Sequence, residues 1–286
     1  MLQQIPLENP FGSPIYHIDE TTSTMDEARR LTAGSISADL AAPNVAEAGS
    51  VLPARKIAGI DLHGSVLVAD YQRAGRGRAA GRSWHAAPGE SLLCTLILSY
   101  PRIQDIPAAL PLRLGVAVAL TLEVLWPQLA GRTRLKWPND VLIDGKKVCG
   151  ILCEGEGRWI YAGMGINLLQ GAFPAELVHR SISVRQALGA AKVAKKGIDR
   201  YRLLINLLEH IRLLLDGTTS WQTELEERLY KRGEPVRFLA GSAEAPVEVL
   251  GILEGVSSSG ELLIRKDGDR APQPYITGEL DVYETR

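Results

Sequence analysis

Cysteine is scarce in this chain. Its three residues, Cys94, Cys149 and Cys153, are an odd number in 286 and form no Cys-x-x-Cys pair. No disulfide framework is implied, and free cysteines of this kind are expected as buried thiols. Excess charge of either sign is also lacking: 32 Lys and Arg oppose 33 Asp and Glu, a formal net charge of -1. No global field therefore draws in nucleic acid or a membrane surface, and any basic site must be local. The N-terminus has neither a basic segment nor an apolar one of signal-peptide type. The longest apolar stretch, 114–126, carries Glu123 and falls short of the ~20 residues that span a bilayer. A cytoplasmic protein is expected. No internal repeat is visible. With 45% hydrophobic and 23% charged residues, the composition excludes a disordered or collagen-like chain and leaves a globular one with a sizeable core.

The length suggests one large domain and a small one. Thr24-Met25-Asp26-Glu27 fits a capping box, with the Thr24 hydroxyl and the Glu27 carboxylate satisfying free amides, and predicts a helix to about Leu31. Residues 33–60, rich in Ala, Gly, Ser and Pro, read as a long surface loop. Aliphatic runs at 65–70 and 92–99 predict strands, and 108–126 a mostly apolar helix. A second β set is expected at 134–137, 141–143, 147–154 and 159–166, with Asp144-Gly145 as a two-residue hairpin turn requiring positive φ. Helices follow at 198–215 and 220–230. Beyond Lys231-Arg232-Gly233 only short strands remain, at 235–239, 247–253, 262–265 and 275–277, the pattern of a small β-barrel. The boundary divides the chain into 1–231 and 232–286.

Chemistry concentrates in a few strings. Gln72-Arg73-Ala74-Gly75-Arg76-Gly77-Arg78, followed by Gly81-Arg82-Ser83-Trp84, comes directly after a strand. Glycines let a backbone approach a ligand, and arginines supply forked donors for carboxylate or phosphate. The same string also suits a solvated loop or an RNA-binding segment. Lys136-Trp137-Pro138-Asn139-Asp140 closes another strand, where Pro138 removes a donor and should expose the residues beside it. It can orient a charged ligand or be a plain surface turn. By alternation Lys147, Cys149 and Ile151 should share one strand face, so Lys147 either snorkels or serves an anion. Gly163-Met164-Gly165-Ile166-Asn167 implies close approach of a backbone or ligand, or mere packing. The hydroxyls of Thr21-Thr22-Ser23-Thr24 can cap a helix or bind a polar ligand.

Taken in order, Ser23-Thr24, the Gln72–Arg78 string with Trp84, Lys136 to Asp140, Lys147 with Gly150-Ile151-Leu152, and Gly163-x-Gly165-Ile166-Asn167 closely resemble biotin protein ligase. The resemblance runs from about Thr21 to the C-terminus. It implies an α+β fold, a class II synthetase-like mixed sheet flanked by helices, with a small C-terminal SH3-like β-barrel. The implied reaction condenses biotin with ATP, as its Mg²⁺ complex, to biotinyl-5′-AMP and passes biotin to one lysine of a biotin carboxyl carrier protein. In the same carry-over Ser23, Thr24 and Gln72 bind the biotin head group. Arg76, Gly77 and Arg78 cover biotin and the adenylate, and Lys147 and Gly150 also bind biotin. Trp84 packs on adenine. Lys136 and Lys147 hold carboxylate and phosphate, while Asn139 and Asn167 serve the nucleotide. Arg78, Lys136 and Lys147 are the catalytic candidates; no metal ligand is assigned.

Some members of that family carry an N-terminal DNA-binding domain. About 20 residues precede Thr24 here, so DNA binding is not expected. Lipoate ligase, with the same fold and adenylate chemistry, is the alternative, as is a non-catalytic biotin-binding regulator. A homodimer through the sheet stays open. Residues 75–82 offer few apolar anchors, and the loop is expected to be mobile when empty and to order over the adenylate.

Overall fold

The computed structural model describes residues 1–34, 61–78, 83–84, 86–189, 197–242 and 244–280. The expected loop 33–60 lies outside them beyond Gly34. In chain order the elements begin with β1 (Gln3–Ile5), β2 (Ile15–Thr21), α1 (Thr24–Thr32), β3 (Val66–Gln72), β4 (Gly75–Arg76), β5 (Ser83–Trp84) and β6 (Ser91–Ser99). Next come α2 (Leu110–Leu125), β7 (Thr133–Lys136), β8 (Asp140–Ile143), β9 (Lys146–Glu156), β10 (Trp159–Asn167) and α3 (Val184–Leu188). The chain continues through α4 (Arg200–Leu215), α5 (Trp221–Arg228), β11 (Pro235–Ala240), β12 (Val247–Val256), β13 (Leu262–Arg265), β14 (Gln273–Tyr275) and β15 (Gly278–Leu280).

Eight strands form one sheet in the order β1-β2-β3-β6-β10-β9-β8-β7. Among the described residues only β2 and β3 pair parallel in this sheet, which makes it mixed, as expected. Period-two alternation sorts its side chains. Val66, Val68, Cys94, Leu96, Ala162 and Met164 face the core that also takes α2, α4 and α5. Leu67, Ile97 and Tyr161 point the other way and pack with Met25, Ala28 and Leu31 of α1. α2 is apolar nearly all round because it lies between the sheet and α4 and α5. Ile103–Leu125 is long and apolar enough to cross a membrane, yet Val116, Ala117, Val118, Ala119 and Leu122 are spent in the core. Each such Leu or Val contributes about 1.5–3 kcal/mol by leaving water.

The β8–β9 hairpin turns on Asp144 (φ 50) and Gly145 (φ 76), the paired positive values that match the twist of the flanking strands. The capping prediction is displaced by one residue. Ser23 is the N-cap, its Oγ accepting from the Met25 amide, and Thr24 is the first helical residue. Glu27 does not reach back to the cap; its carboxylate takes the Thr21 hydroxyl at 2.7 Å and Arg30. Strands β1 and β2 and helix α3 had no counterpart in the sequence reading. β1 is three residues long, β2 (Ile-Tyr-His-Ile-Asp-Glu-Thr) is half polar, and α3 is a five-residue helix held by a Ser183–Gln186 capping box.

The last five strands form an antiparallel sheet, β14-β13-β12-β11-β15. It is joined to the main core by Trp137, whose ring meets Phe238 edge-on at 5.8 Å and whose Nε1–H donates to the Gly260 carbonyl at 2.9 Å. The expectation that Pro138 exposes its neighbours therefore fails for Trp137, which is 2% exposed: this sheet covers the indole. The strand expected at 275–277 is instead β14 ending at Tyr275 and β15 starting at Gly278, with Ile276 exposed between them.

Candidate active site

A cleft of about 520 Å³, open solvent included, lies on the face of the large sheet that carries α1. Its floor is made where the sheet lacks side chains. Gly150 of β9 and Gly165 of β10 are direct partners in the ladder, and Gly163 sits two residues along. A Cβ at Gly165 would lie 2.7 Å from Trp84 Cε2, one at Gly150 3.2 Å from Trp84 Cζ3, and one at Gly163 2.9 Å from Met25 Sδ. The glycines therefore admit an indole and a thioether laid against the sheet; the close approach is by side chains. Trp84 Nε1 is buried without a hydrogen-bond partner among the described residues. Trp84 thus lies on the glycine floor, held at the cleft by the short β4–β5 pair.

One wall is polar and comes from the start of α1 and the end of β3. Gln72 Oε1 accepts from the Thr24 amide at 2.7 Å and from the Thr24 hydroxyl at 3.0 Å. Ser23, Thr24 and Gln72 all line the cleft. The other wall is cationic. Lys147 Nζ lies 2.7 Å from Asp140 Oδ1 and 5.9 Å from the Trp84 ring centroid. Its side chain rests on Gly150, where a Cβ would meet Lys147 Cε at 2.9 Å. Lys147 does not share the strand face of Cys149 and Ile151 that alternation predicts. A β-bulge between Val141 and Leu142 pairs Val141 with Cys149 but Leu142 with Lys147. The extra residue on β9 turns Lys147 away from the Cys149 and Ile151 side and toward the cleft.

Arg76 is held by Asp26, Nη2 to Oδ1 at 2.8 Å, and Arg78 Nη2 donates to the Gly278 carbonyl of β15 at 2.9 Å. Both line the cleft with Gly77. Residues 75–78 are held by polar contacts, a two-residue β-ladder, an ion pair and a bond to the second sheet; 79–82, the rest of the loop expected to be mobile when empty, lie outside the described residues. Asn139 lines the cleft and ties β9 down, donating from Nδ2 to the Ile151 carbonyl at 2.6 Å.

Two expected residues stand apart. Lys136 is outside the cleft lining, its Nζ 3.9 Å from Glu279 of β15. Asn167 is 4% exposed, donating to the Ile182 carbonyl and accepting from Gln170. Met25, Leu152 and Met164, which stand in the quoted strings but were given no role, also line the cleft. Thr95, at 0% exposure, donates to Thr24 Oγ1 at 2.8 Å behind the polar wall. Its signal was a hydroxyl inside the aliphatic run Leu92-Leu93-Cys94-Thr95-Leu96, which must find a partner when buried.

Cys94 and Cys149 fit the expectation of buried thiols, while Cys153 is half-buried. Burial pushes Cys94 and Cys153 up to about 12, and Cys149 upward as well, so none is a nucleophile at neutral pH. Among the described residues, His17, Asp19 and Asp70 bring potential metal-ligand atoms within 4.8 Å of one another. None lines the cleft, and Asp70 is already held by His17 at 2.9 Å and Arg200 at 2.5 Å.

Comparison with known proteins bears on this geometry. Residues 55–169 match the model of the Biotin/lipoate A/B protein ligase family. The chain is 32% identical over 231 residues to the biotin--[acetyl-CoA-carboxylase] ligase of Mycobacterium tuberculosis, covering 78% of this chain and 83% of that protein. It is 30% identical over 232 residues to the bifunctional ligase/repressor BirA of Escherichia coli, covering 77% of this chain and 66% of that longer protein. The solved biotin protein ligase of Aquifex aeolicus, in complex with biotin and ATP, superposes with a TM-score of 0.68 at 26% identity, over 93% of this chain and 97% of that one. The fold, the ordered cleft strings and these identities together establish that the chain belongs to the biotin/lipoate ligase family, with the biotin protein ligases.

Proposed function

We propose that this chain activates biotin with ATP to biotinyl-5′-AMP and transfers the biotinyl group to a lysine of a biotin carboxyl carrier protein. The observation that carries the reading is the cleft itself: a glycine floor with a neutral hydrogen-bonding wall at one side and cations at the other. Gln72 commits its carbonyl to Thr24, which leaves its NH₂ to donate. A cyclic urea, with one carbonyl and flanking N–H groups, complements such a wall. The dithiolane of lipoate has neither group, so the lipoate reading is disfavoured.

In the first step a biotin carboxylate oxygen attacks the α-phosphorus of ATP, taken as its Mg²⁺ complex, and pyrophosphate leaves. Two anions must meet, so the cations carry the chemistry: Lys147 and Arg78 screen the approach and stabilise charge developing on the phosphoryl oxygens. Lys136, beside β15, and Asn139 serve the nucleotide side, and Trp84 offers an aromatic face to adenine. In the second step the neutral carrier amine attacks the acyl carbon and AMP leaves. Positioning, with no enzyme nucleophile, supplies the rate. This agrees with the raised thiol pKa values of Cys94 and Cys153.

The carrier domain, not DNA, is the proposed macromolecular partner, in keeping with a net charge of -1. A division at 231/232 is proposed on the turn with Lys231 (φ 61) and Gly233 (φ 78). The test is direct. Purified protein with ATP, Mg²⁺ and biotin should label a carrier domain on an avidin blot; an unlabelled carrier beside a working control ligase refutes the assignment.

A further inference from the structure

We infer that Thr95, a residue that does not line the cleft, is a positioning residue that sets which hydrogen bonds the biotin-binding wall offers. The inference rests on the ligase reading and deepens it. A backbone N–H can only donate, so the atom 2.7 Å from the Thr24 amide must be the Gln72 carbonyl oxygen. That fixes the amide orientation and leaves Gln72 Nε2 on the side of Gly75, where a Cβ would lie 3.2 Å away. The same carbonyl oxygen is 3.0 Å from the Thr24 hydroxyl, so the Thr24 proton is spent there. Thr24 Oγ1 is also 2.8 Å from Thr95 Oγ1, and with its own proton committed it accepts from Thr95.

The result is a one-way chain, Thr95 to Thr24 to Gln72, running from inside the sheet to the cleft wall. Its consequence is a defined polarity. Toward a ligand, Gln72 presents N–H donors and Thr24 presents its remaining lone pair. A urea carbonyl and its adjacent N–H fit that pair, one accepting and one donating. The register supports the placement. Thr95 of β6 is the partner of Gly163, so the hydroxyl rises on the cleft face beside a position with no side chain. Without the Thr95 donor, the Thr24 hydroxyl is free to rotate away from Gln72, and the ordered wall becomes an average over orientations.

The test compares Thr95→Val, which keeps the shape and deletes the hydroxyl, with Thr95→Ser, which restores it. The readouts are biotin and desthiobiotin titrations, the KM for ATP, kcat and the melting temperature. Thr95→Val should weaken biotin and desthiobiotin, which share the urea, by the same factor of about tenfold. The ATP KM and the kcat at saturating biotin should stay within about twofold, since neither depends on the urea. Thr95→Ser should bind as wild type does. Should Thr95→Val not fold, Thr95→Ala carries the same expectation. An unchanged biotin affinity, or an equal loss in ATP KM, kcat and melting temperature, overturns the inference. Wild-type protein that binds no biotin overturns the ligase reading and this inference with it; wild-type binding that Thr95→Val leaves unmoved overturns this inference alone.

Discussion

Replacing Lys147 by Ala removes a cation and uncovers an anion. Its Nζ is 2.7 Å from Asp140 Oδ1, and the Asp140 side chain is only 19% exposed. Loss of a charge-assisted contact to the biotinyl carboxylate or phosphate costs about 1.5–3 kcal/mol, roughly ten- to hundredfold. The unpaired Asp140 then faces the incoming polyanion. At ~6 Å and an effective dielectric of ~20, one such repulsion is about 3 kcal/mol, on the order of another hundredfold. Lys147→Ala should therefore lower kcat/KM for biotinyl-AMP formation by roughly a thousandfold or more, the sum of both effects. The double variant Lys147→Ala/Asp140→Asn should recover a large part of the second factor. Melting curves separate this from misfolding, because Lys147 is 33% exposed and contributes little to the core. A double variant no better than the single, or a melting temperature that falls in step with activity, would refute the reasoning.

Other outcomes follow from the same geometry. Gly165→Ala puts a methyl 2.7 Å from Trp84 Cε2, so the indole must shift; at about 1–3 kcal/mol of overpacking, biotin-dependent activity should fall about tenfold or more, and unchanged kinetics would contradict the shelf. Arg78→Ala frees the Gly278 carbonyl and removes a cleft cation. It should release biotinyl-AMP, visible as biotin on bystander lysines by avidin blot without a carrier; a clean blot with normal turnover argues against the retention role. Burial pushes the Asp70 carboxyl upward, but the hydrogen bonds from His17 and Arg200 and the charges of both, taken together, bring it below the usual 3.8. A depressed carboxyl stabilises the fold above the unfolded value and loses that contribution as pH falls through the native one. Asp70→Asn should thus be less stable than wild type at neutral pH, with the gap closing below about pH 4 in thermal melts.

Much of this architecture was legible because local chemistry and global fold agree. Asp144-Gly145 demanded a tight hairpin and makes one, with φ of 50 and 76. The apolar run of α2 demanded burial on all sides and is sandwiched between the sheet and α4 and α5. Where the reading failed, the deciding contact came from outside the local pattern that was read, in a neighbouring element or a distant one. A bulge opposite Val141 and Leu142 decides which way Lys147 points, and no local pattern encodes it. Trp137 is buried because Phe238 and Gly260 cover it from the second sheet. The capping site moved by one residue because Glu27 is taken by Thr21, leaving Ser23 to close the helix. Ser23, Thr24, Gln72, Arg76, Gly77, Arg78, Trp84, Asn139, Lys147 and Gly150 line the cleft together, while Lys136 and Asn167 are not part of its lining. Thr95 escaped notice because its role passes through another side chain.

The central claim is that this cleft joins a urea-bearing carboxylate to a nucleotide. Exchange of labelled pyrophosphate into ATP, measured with biotin, with lipoate and with neither, tests it most directly, because the exchange requires the reversible adenylate and nothing downstream. The account predicts exchange that depends on biotin, is not supported by lipoate, and is lost in Lys147→Ala. Exchange with lipoate in place of biotin, or none with either while the protein is folded, would contradict it.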